Sequence, residues 1–232
     1  MTVLTAIQNA CGEGIPLNRP DAVFSSQERE HFELQVLANT AGAHIAGDCE
    51  WQKLKLIATI TGDGASEDFG FPEDYDRMLK KAELRTSRHV TALTHVTSSD
   101  QWLDMSIRGF DPVAGAWTIH GDRIHVRPAP LSGEAVRYFY MSREWALDRE
   151  GSAKAAFAAD DDTFRLSEKL LELCMIWKWR AAKGLPYAEN LADYEDAREK
   201  LITADKGSRC LTIGRARPSS DAQIAWPRGI VP

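Results

Sequence analysis

The hydrophobic period of this chain changes twice, and that constrains its fold more than any other feature. Near the N-terminus Leu34, Leu37, Ala41 and Ile45 recur at spacings of three and four, one face of an amphipathic helix ending near Gly47. From Trp51 the spacing drops to two. Leu54, Leu56, Ala58 and Ile60 alternate with Lys53, Lys55, Ile57 and Thr59, as in a strand with one buried face. Period two returns in EAVRYFYM, where Val136, Tyr138 and Tyr140 alternate with Arg137, Phe139 and Met141. The helical period then resumes at Leu170, Leu173, Cys174, Trp177 and Ala181, and again at Leu191, Tyr194, Ala197 and Leu201. Apolar stripes at both ends of a chain need partners, so the first and last helices must meet, with the strands inserted between them.

Local signals place the boundaries. Val3, Leu4, Ile7 and Ala10 predict a short helix over residues 3–11, stopped by Gly12 and Gly14. GIPLNRPDAVFSS reads as a loop, and Ser25 or Ser26 as the cap of the second helix. TGDGASED is a turn, and Phe69 and Phe71 form an extended lead into Pro72 and an acidic turn. Residues 98–107 read as a short helix capped by Ser98 or Ser99. AWTIH and RIHVRP flank Gly121-Asp122, a two-residue hairpin connection. Asp160, Asp161 and Asp162 place favourable negative charge ahead of the next helix, Gly184 stops it, and Pro186 opens the last one. The fold class is therefore α+β. N-terminal helices (1–50) and C-terminal helices (149–204) form a bundle around an inserted small antiparallel β-domain (51–148), and 205–232 is an extended C-terminal arm.

The residue types offer little chemistry. No G-x-x-x-x-G-K-[ST], G-x-S-x-G or H-E-x-x-H occurs. His120 and His125 flank the hairpin turn, but a zinc site usually takes three or four protein ligands, so they read as surface histidines. Two acidic clusters, Glu67, Asp68, Glu73, Asp74 and Asp76, and Asp160 to Asp162, contain carboxylate pairs of the kind used for glycoside hydrolysis or divalent cations. The first lacks the order of a calcium loop, and both are read as solvated or interface-facing acidic edges. The four cysteines, Cys11, Cys49, Cys174 and Cys210, have no C-x-x-C spacing and read as free thiols in a reducing cytosol. The N-terminus lacks a signal-peptide pattern, and no apolar run approaches the ~20 residues of a membrane span, so a soluble protein made in the cytoplasm is expected. No catalytic, cofactor-binding or metal-binding residue is assigned, and no cofactor.

Interaction features are better represented. Trp177 belongs to the core stripe of its helix, whereas Trp179 points elsewhere, and Leu171 and Met175 support that second apolar face. A helix apolar on more than one face suggests oligomerisation, so these three are read as a subunit interface. From Asp205 onward the period vanishes. Lys206, Arg209, Arg215, Arg217 and Arg228 face only two acids, giving +3 on a chain whose total is −6. Between them lie Leu211, Ile213, Ile224, Trp226, Ile230 and Val231, which suits an arm that orders on a partner. The negative total argues against a protein that grips nucleic acid through its overall charge.

DDDTFRLSEKLLELCMIWKWRAAKGLPYAENLADYEDAREKL (160–201) carries a family resemblance: an acidic turn, a helix with W-x-W (Trp177, Trp179), Lys183-Gly184-Leu185 with Tyr187, then Asp193-Tyr194-Glu195. Trp51-Gln52, FPEDYDRM (71–78) and YFYMSREW (138–145) fit in order and spacing, covering about residues 1–205. The chain resembles head-to-tail adaptors of tailed phages, of the type called tail tubular protein A or tail accessory factor. It departs at Ser167, where the family pattern has Pro. The resemblance implies a structural, non-enzymatic virion protein of the neck: a dodecameric homo-oligomeric ring below the portal protein, joining it to the tail nozzle or tube. The arm residues Arg209, Arg215, Arg217, Ile224, Trp226 and Arg228 would bind the portal, and the β-domain, with Phe69, Phe71 and Asp74, would face the tail. Genomic DNA would pass through without sequence-specific binding, and an acidic wall suits such a conduit. A head-completion or tail-terminator subunit of other symmetry, or a cell-wall hydrolase, are the alternatives.

Overall fold

A computed structural model of the chain describes residues 2–206. Helix α1 (Val3–Glu13) starts at Thr2, whose hydroxyl accepts the Thr5 N–H, and runs through Gly12 to stop at Gly14. Helix α2 (Arg29–Asp48) begins after Glu28 with no side-chain cap. Neither Ser25 nor Ser26 fills that role, because Ser26 Oγ instead accepts the Glu28 N–H and bonds His31 Nδ1. A 3₁₀ turn (Gln52–Leu54) leads into β1 (Lys55–Thr61), followed by β2 (Asp68–Gly70), β3 (Tyr75–Met78), β4 (Arg85–Thr86) and β5 (Thr94–His95). Helix α3 (Ser99–Arg108) is capped by Ser98. After it come β6 (Ala116–His120), β7 (Arg123–Arg127), β8 (Ala135–Ser142), β9 (Ala146–Leu147), β10 (Ala153–Lys154) and β11 (Thr163–Phe164). Helices α4 (Glu168–Ala182) and α5 (Ala188–Lys206) complete the described chain.

The α+β class holds, and two apolar cores organise it. In the first, sheets β1-β8-β3 (with β4 also on β8) and β2-β7-β6-β5 pack face to face. Ala58, Ile60, Val136, Tyr138 and Tyr140 point inward from one sheet, and Trp117, Ile124 and Val126 from the other. The alternation on β1 and β8 therefore has its physical cause in a sandwich. Pairing is antiparallel except between β5 and β6, which run parallel. Gly121 and Asp122 both sit at φ 55°, the left-handed pair a tight hairpin turn requires. Helix α3 covers the outer face of the second sheet, seating Trp102 and Met105 against Val96 and Ala116.

In the second core α4 is central, with α1, α2 and α5 packed around it. Ser167 Oγ accepts the Leu170 N–H, so serine performs the helix-start role at this position. The helix ends in a Schellman turn: Leu185 N–H bonds Arg180 O, Gly184 N–H bonds Ala181 O, and Gly184 takes φ 70°. Pro186 precedes α5 rather than lying inside it, and its carbonyl accepts from Arg180 Nε. Helix α5 continues to Lys206, past the expected start of the arm, and Asp205 Oδ2 accepts the Gln52 N–H.

Strand β8 joins the two cores. Its inward residues fill the sandwich, while Met141 and then Trp145 and Ala146 enter the helical core. Arg77 reinforces the junction by donating to Ala46 O and Cys49 O at the C-terminal end of α2, where a cation complements the helix dipole. No helix among the described residues is long and apolar enough to cross a membrane.

Candidate functional site

The structure relocates several of the residues singled out from sequence. Leu171 and Met175 are fully buried, and Trp179 is 9% exposed, all within the protomer's own helical core. Trp177 is the less buried of the two tryptophans. This corrects the expectation of a second α4 face left for a neighbour. A helix packed on several sides has no outer face to offer, and its apolar residues are consumed internally. Trp179→Ala is accordingly expected to destabilise the monomer by about 3 kcal/mol, the low end for a buried Trp, because its Nε1 has no acceptor among the described residues. Chemical denaturation measures this, and an unchanged midpoint would return Trp179 to the surface.

Phe69 and Phe71 are half-buried against the sandwich core, Phe71 stacking on Tyr75 at 3.9 Å between centroids. Burial, together with the Asp74 carboxylate that accepts its hydroxyl at 2.7 Å, pushes the Tyr140 phenol up. Arg209, Arg215, Arg217, Ile224, Trp226 and Arg228 lie outside the described residues.

The groups that could do chemistry are engaged in structure. Burial pushes the Cys174 thiol up to about 12, far from a nucleophilic thiolate at neutral pH. His120 and His125 stack on each other across the hairpin, and His125 Nδ1 bonds Asp68. Glu67 and Asp111 both approach Arg127, and Asp76 pairs with Arg77. Among the described residues no three His, Cys, Asp or Glu side chains come together to hold a metal ion.

The second acidic cluster ties loops together. Asp160 Oδ1 accepts the Val23 and Phe24 N–H groups, and Asp162 accepts those of Ala158 and Ala159 together with Lys154 Nζ. The triplet was expected ahead of α4. The helix start it meets is that of α1, where the Val3 N–H bonds Asp162 O. The Asp160 bonds and the Val3 contact depend on non-local folding, whereas Asp162 closes its own loop, and neither role has a signature in the acidic run itself.

Apolar groups also reach the surface. Among the described residues, exposed apolar side chains gather at the start of α2 (Phe32, Val36), on the outer face of the first sheet (Ile57, Phe139), and along α3 and the following loop (Leu103, Ile107, Phe110, Val113). The sheet face carries a groove of about 650 Å³ whose lining includes Lys55, Arg85 and Arg137. Exposed large apolar side chains grouped in this way suit macromolecular contact.

Comparison with known proteins agrees with a contact role. The family model described as SU10 adaptor protein matches residues 1–219, the described body together with the first part of the basic segment beyond it. No curated protein matches the chain.

Proposed function

Because the chain belongs to the SU10 adaptor protein family, we propose that it is the head-to-tail adaptor of a tailed phage, assembling as a ring that joins the portal to the tail. The family match over residues 1–219 carries this reading. It supports a phage adaptor role and a place in the virion, structural rather than catalytic. The finer assignments rest on the resemblance to tail tubular protein A and tail accessory factor. They are a dodecameric ring, DNA passing through its centre, and a tail-facing sandwich end marked by Phe69, Phe71 and Asp74.

Segment 207–232 is the portal-binding element in this reading. Its surplus of Arg over acid and its apolar Ile224 and Trp226 supply charge-assisted and buried contacts to a partner surface. Helix α5 and the Asp205–Gln52 bond end before it, so a chain stopped after Lys206 is expected to fold as the wild type does.

The test is the mass of the purified protein alone and mixed with its portal ring. The full chain is expected to join the portal in a fixed multiple, and the chain lacking 207–232 to stay free. A truncated chain that still joins the portal normally would remove the arm from the contact. A full chain that ignores the portal would overturn the adaptor assignment.

A further inference from the structure

The sandwich carries two exposed apolar surfaces on opposite sides. The first is the outer face of the β1–β8 sheet. Ile57 and Phe139 are cross-strand partners, 60% and 47% exposed, and Lys55 Nζ lies 5.1 Å from the Phe139 ring centre. At the far end of β8 the same outward parity belongs to Met141, which the helical core covers; at Phe139 and Arg137 no such cover exists among the described residues. Lys81, Arg85 and Arg137 add to Lys55 around the groove, against a single carboxylate, Glu83, which pairs with Arg85.

The second surface is the outside of α3, which packs on the opposite sheet. With Trp102 and Met105 turned to the protein, Asp100, Leu103, Asp104 and Ile107 share the other face at helical spacing. Leu103 is 58% and Ile107 76% exposed. This surface is a ridge of two apolar side chains flanked by two carboxylates, Asp104 holding Arg108 at 2.7 Å.

We propose that the α3 ridge of one copy seats in the β1–β8 groove of the next copy. This deepens the ring reading above and rests on it. The two surfaces match in kind: Leu103 and Ile107 meet Ile57 and Phe139, while Asp100 and Asp104 meet the Lys55, Lys81, Arg85 and Arg137 rim. An amphipathic helix laid in an apolar groove is a recurring mode of recognition. Because ridge and groove lie on opposite sides of one sandwich, they cannot satisfy each other within a copy or in a twofold dimer. The contact is head-to-tail: every copy offers one half to each neighbour, which is how a closed ring is generated.

Two variants test it, Ile107→Asp on the ridge and Phe139→Asp in the groove. Both sites are solvent-exposed, so melting curves should overlay that of the wild type. Sedimentation velocity is run up to the solubility limit and with the portal present. Each variant alone is expected to lose the wild-type oligomer. Mixed in equal amounts they should form a heterodimer and stop there, because the intact ridge of one meets the intact groove of the other and both remaining halves are dead. A variant that assembles like the wild type overturns the contact and leaves the ring reading standing. A mixture that stays monomeric overturns the ridge-to-groove pairing. A wild-type chain monomeric in every condition overturns the ring itself, and the contact with it.

Discussion

Trp145→Ala is expected to lower the unfolding free energy by about 3–5 kcal/mol, the range for truncating a fully buried large aromatic. The residue sits where the chain leaves β8 and enters the helical core, 4% exposed, edge-on to Phe157 at 4.8 Å and to Phe164 at 5.9 Å. Its ring lies against Gly42 of α2 so closely that a Cβ there would come within 2.5 Å of it. The indole therefore bridges α2, the segment around Phe157 and the strand that carries the sandwich. Since a domain's total stability is about 5–15 kcal/mol, this one side chain accounts for a large share. Urea unfolding followed by tryptophan fluorescence and circular dichroism reads the effect as a lower midpoint at unchanged slope. A shift worth less than about 1 kcal/mol would mean that the two cores are not joined through Trp145.

Sequence periodicity located the elements whose neighbours are simple and failed where packing is not. The α2 stripe, the β1 and β8 alternation and the Gly121-Asp122 hairpin are local patterns, and each is found where the pattern places it. Strands β4, β5, β9, β10 and β11 are two residues long, too short to show a period, and they exist only because longer partners hold them. That β8 pairs with β1 rather than with β7, its neighbour in sequence, is equally invisible to local reading. Helix α4 shows the most instructive difference. A single-face reading put Trp177 inside and Trp179 outside, yet a central helix buries residues on nearly every side. Such a helix carries apolar residues on more than one face because of its position, and oligomerisation need not be invoked.

The interaction surfaces were legible only in part. The alternation on β1 and β8 predicted one buried face, and therefore an outer one carrying Ile57 and Phe139. It could not show which outward residues the helices would cover. Helix α3 has apolar residues on both faces, Trp102 and Met105 on one, Leu103 and Ile107 on the other, and ten residues of sequence do not say which face packs. Both acidic clusters looked alike from sequence. Only the fold distinguishes Asp161, which is exposed near Arg149, from Asp162 one residue later, which is 1% exposed.

That burial makes Asp162 the residue through which acid should act. Burial by itself would push its carboxyl up. The Ala158 and Ala159 N–H groups and Lys154 Nζ outweigh it and hold the carboxyl below the ordinary aspartate value. A carboxyl depressed in the folded state contributes stability that is present above its unfolded pKa of about 3.9 and is lost as pH falls through the folded value. Asp162→Asn keeps the shape but loses the charge, and its amide brings N–H donors towards donors that are already there. It is expected to cost about 2–4 kcal/mol at neutral pH, since the one amide oxygen left cannot replace both carboxylate oxygens, one of which accepts the Ala158 and Ala159 N–H groups and the other Lys154 Nζ. The same change should flatten the acid limb of the stability curve, because the charge it removes is the one wild type loses on acidification. Unfolding midpoints measured from pH 7 down to about pH 2 would show the two curves converging. Curves that stayed parallel would mean that Asp162 holds its loop by shape alone. With the loop goes the start of α1, whose Val3 N–H is bonded to the Asp162 carbonyl.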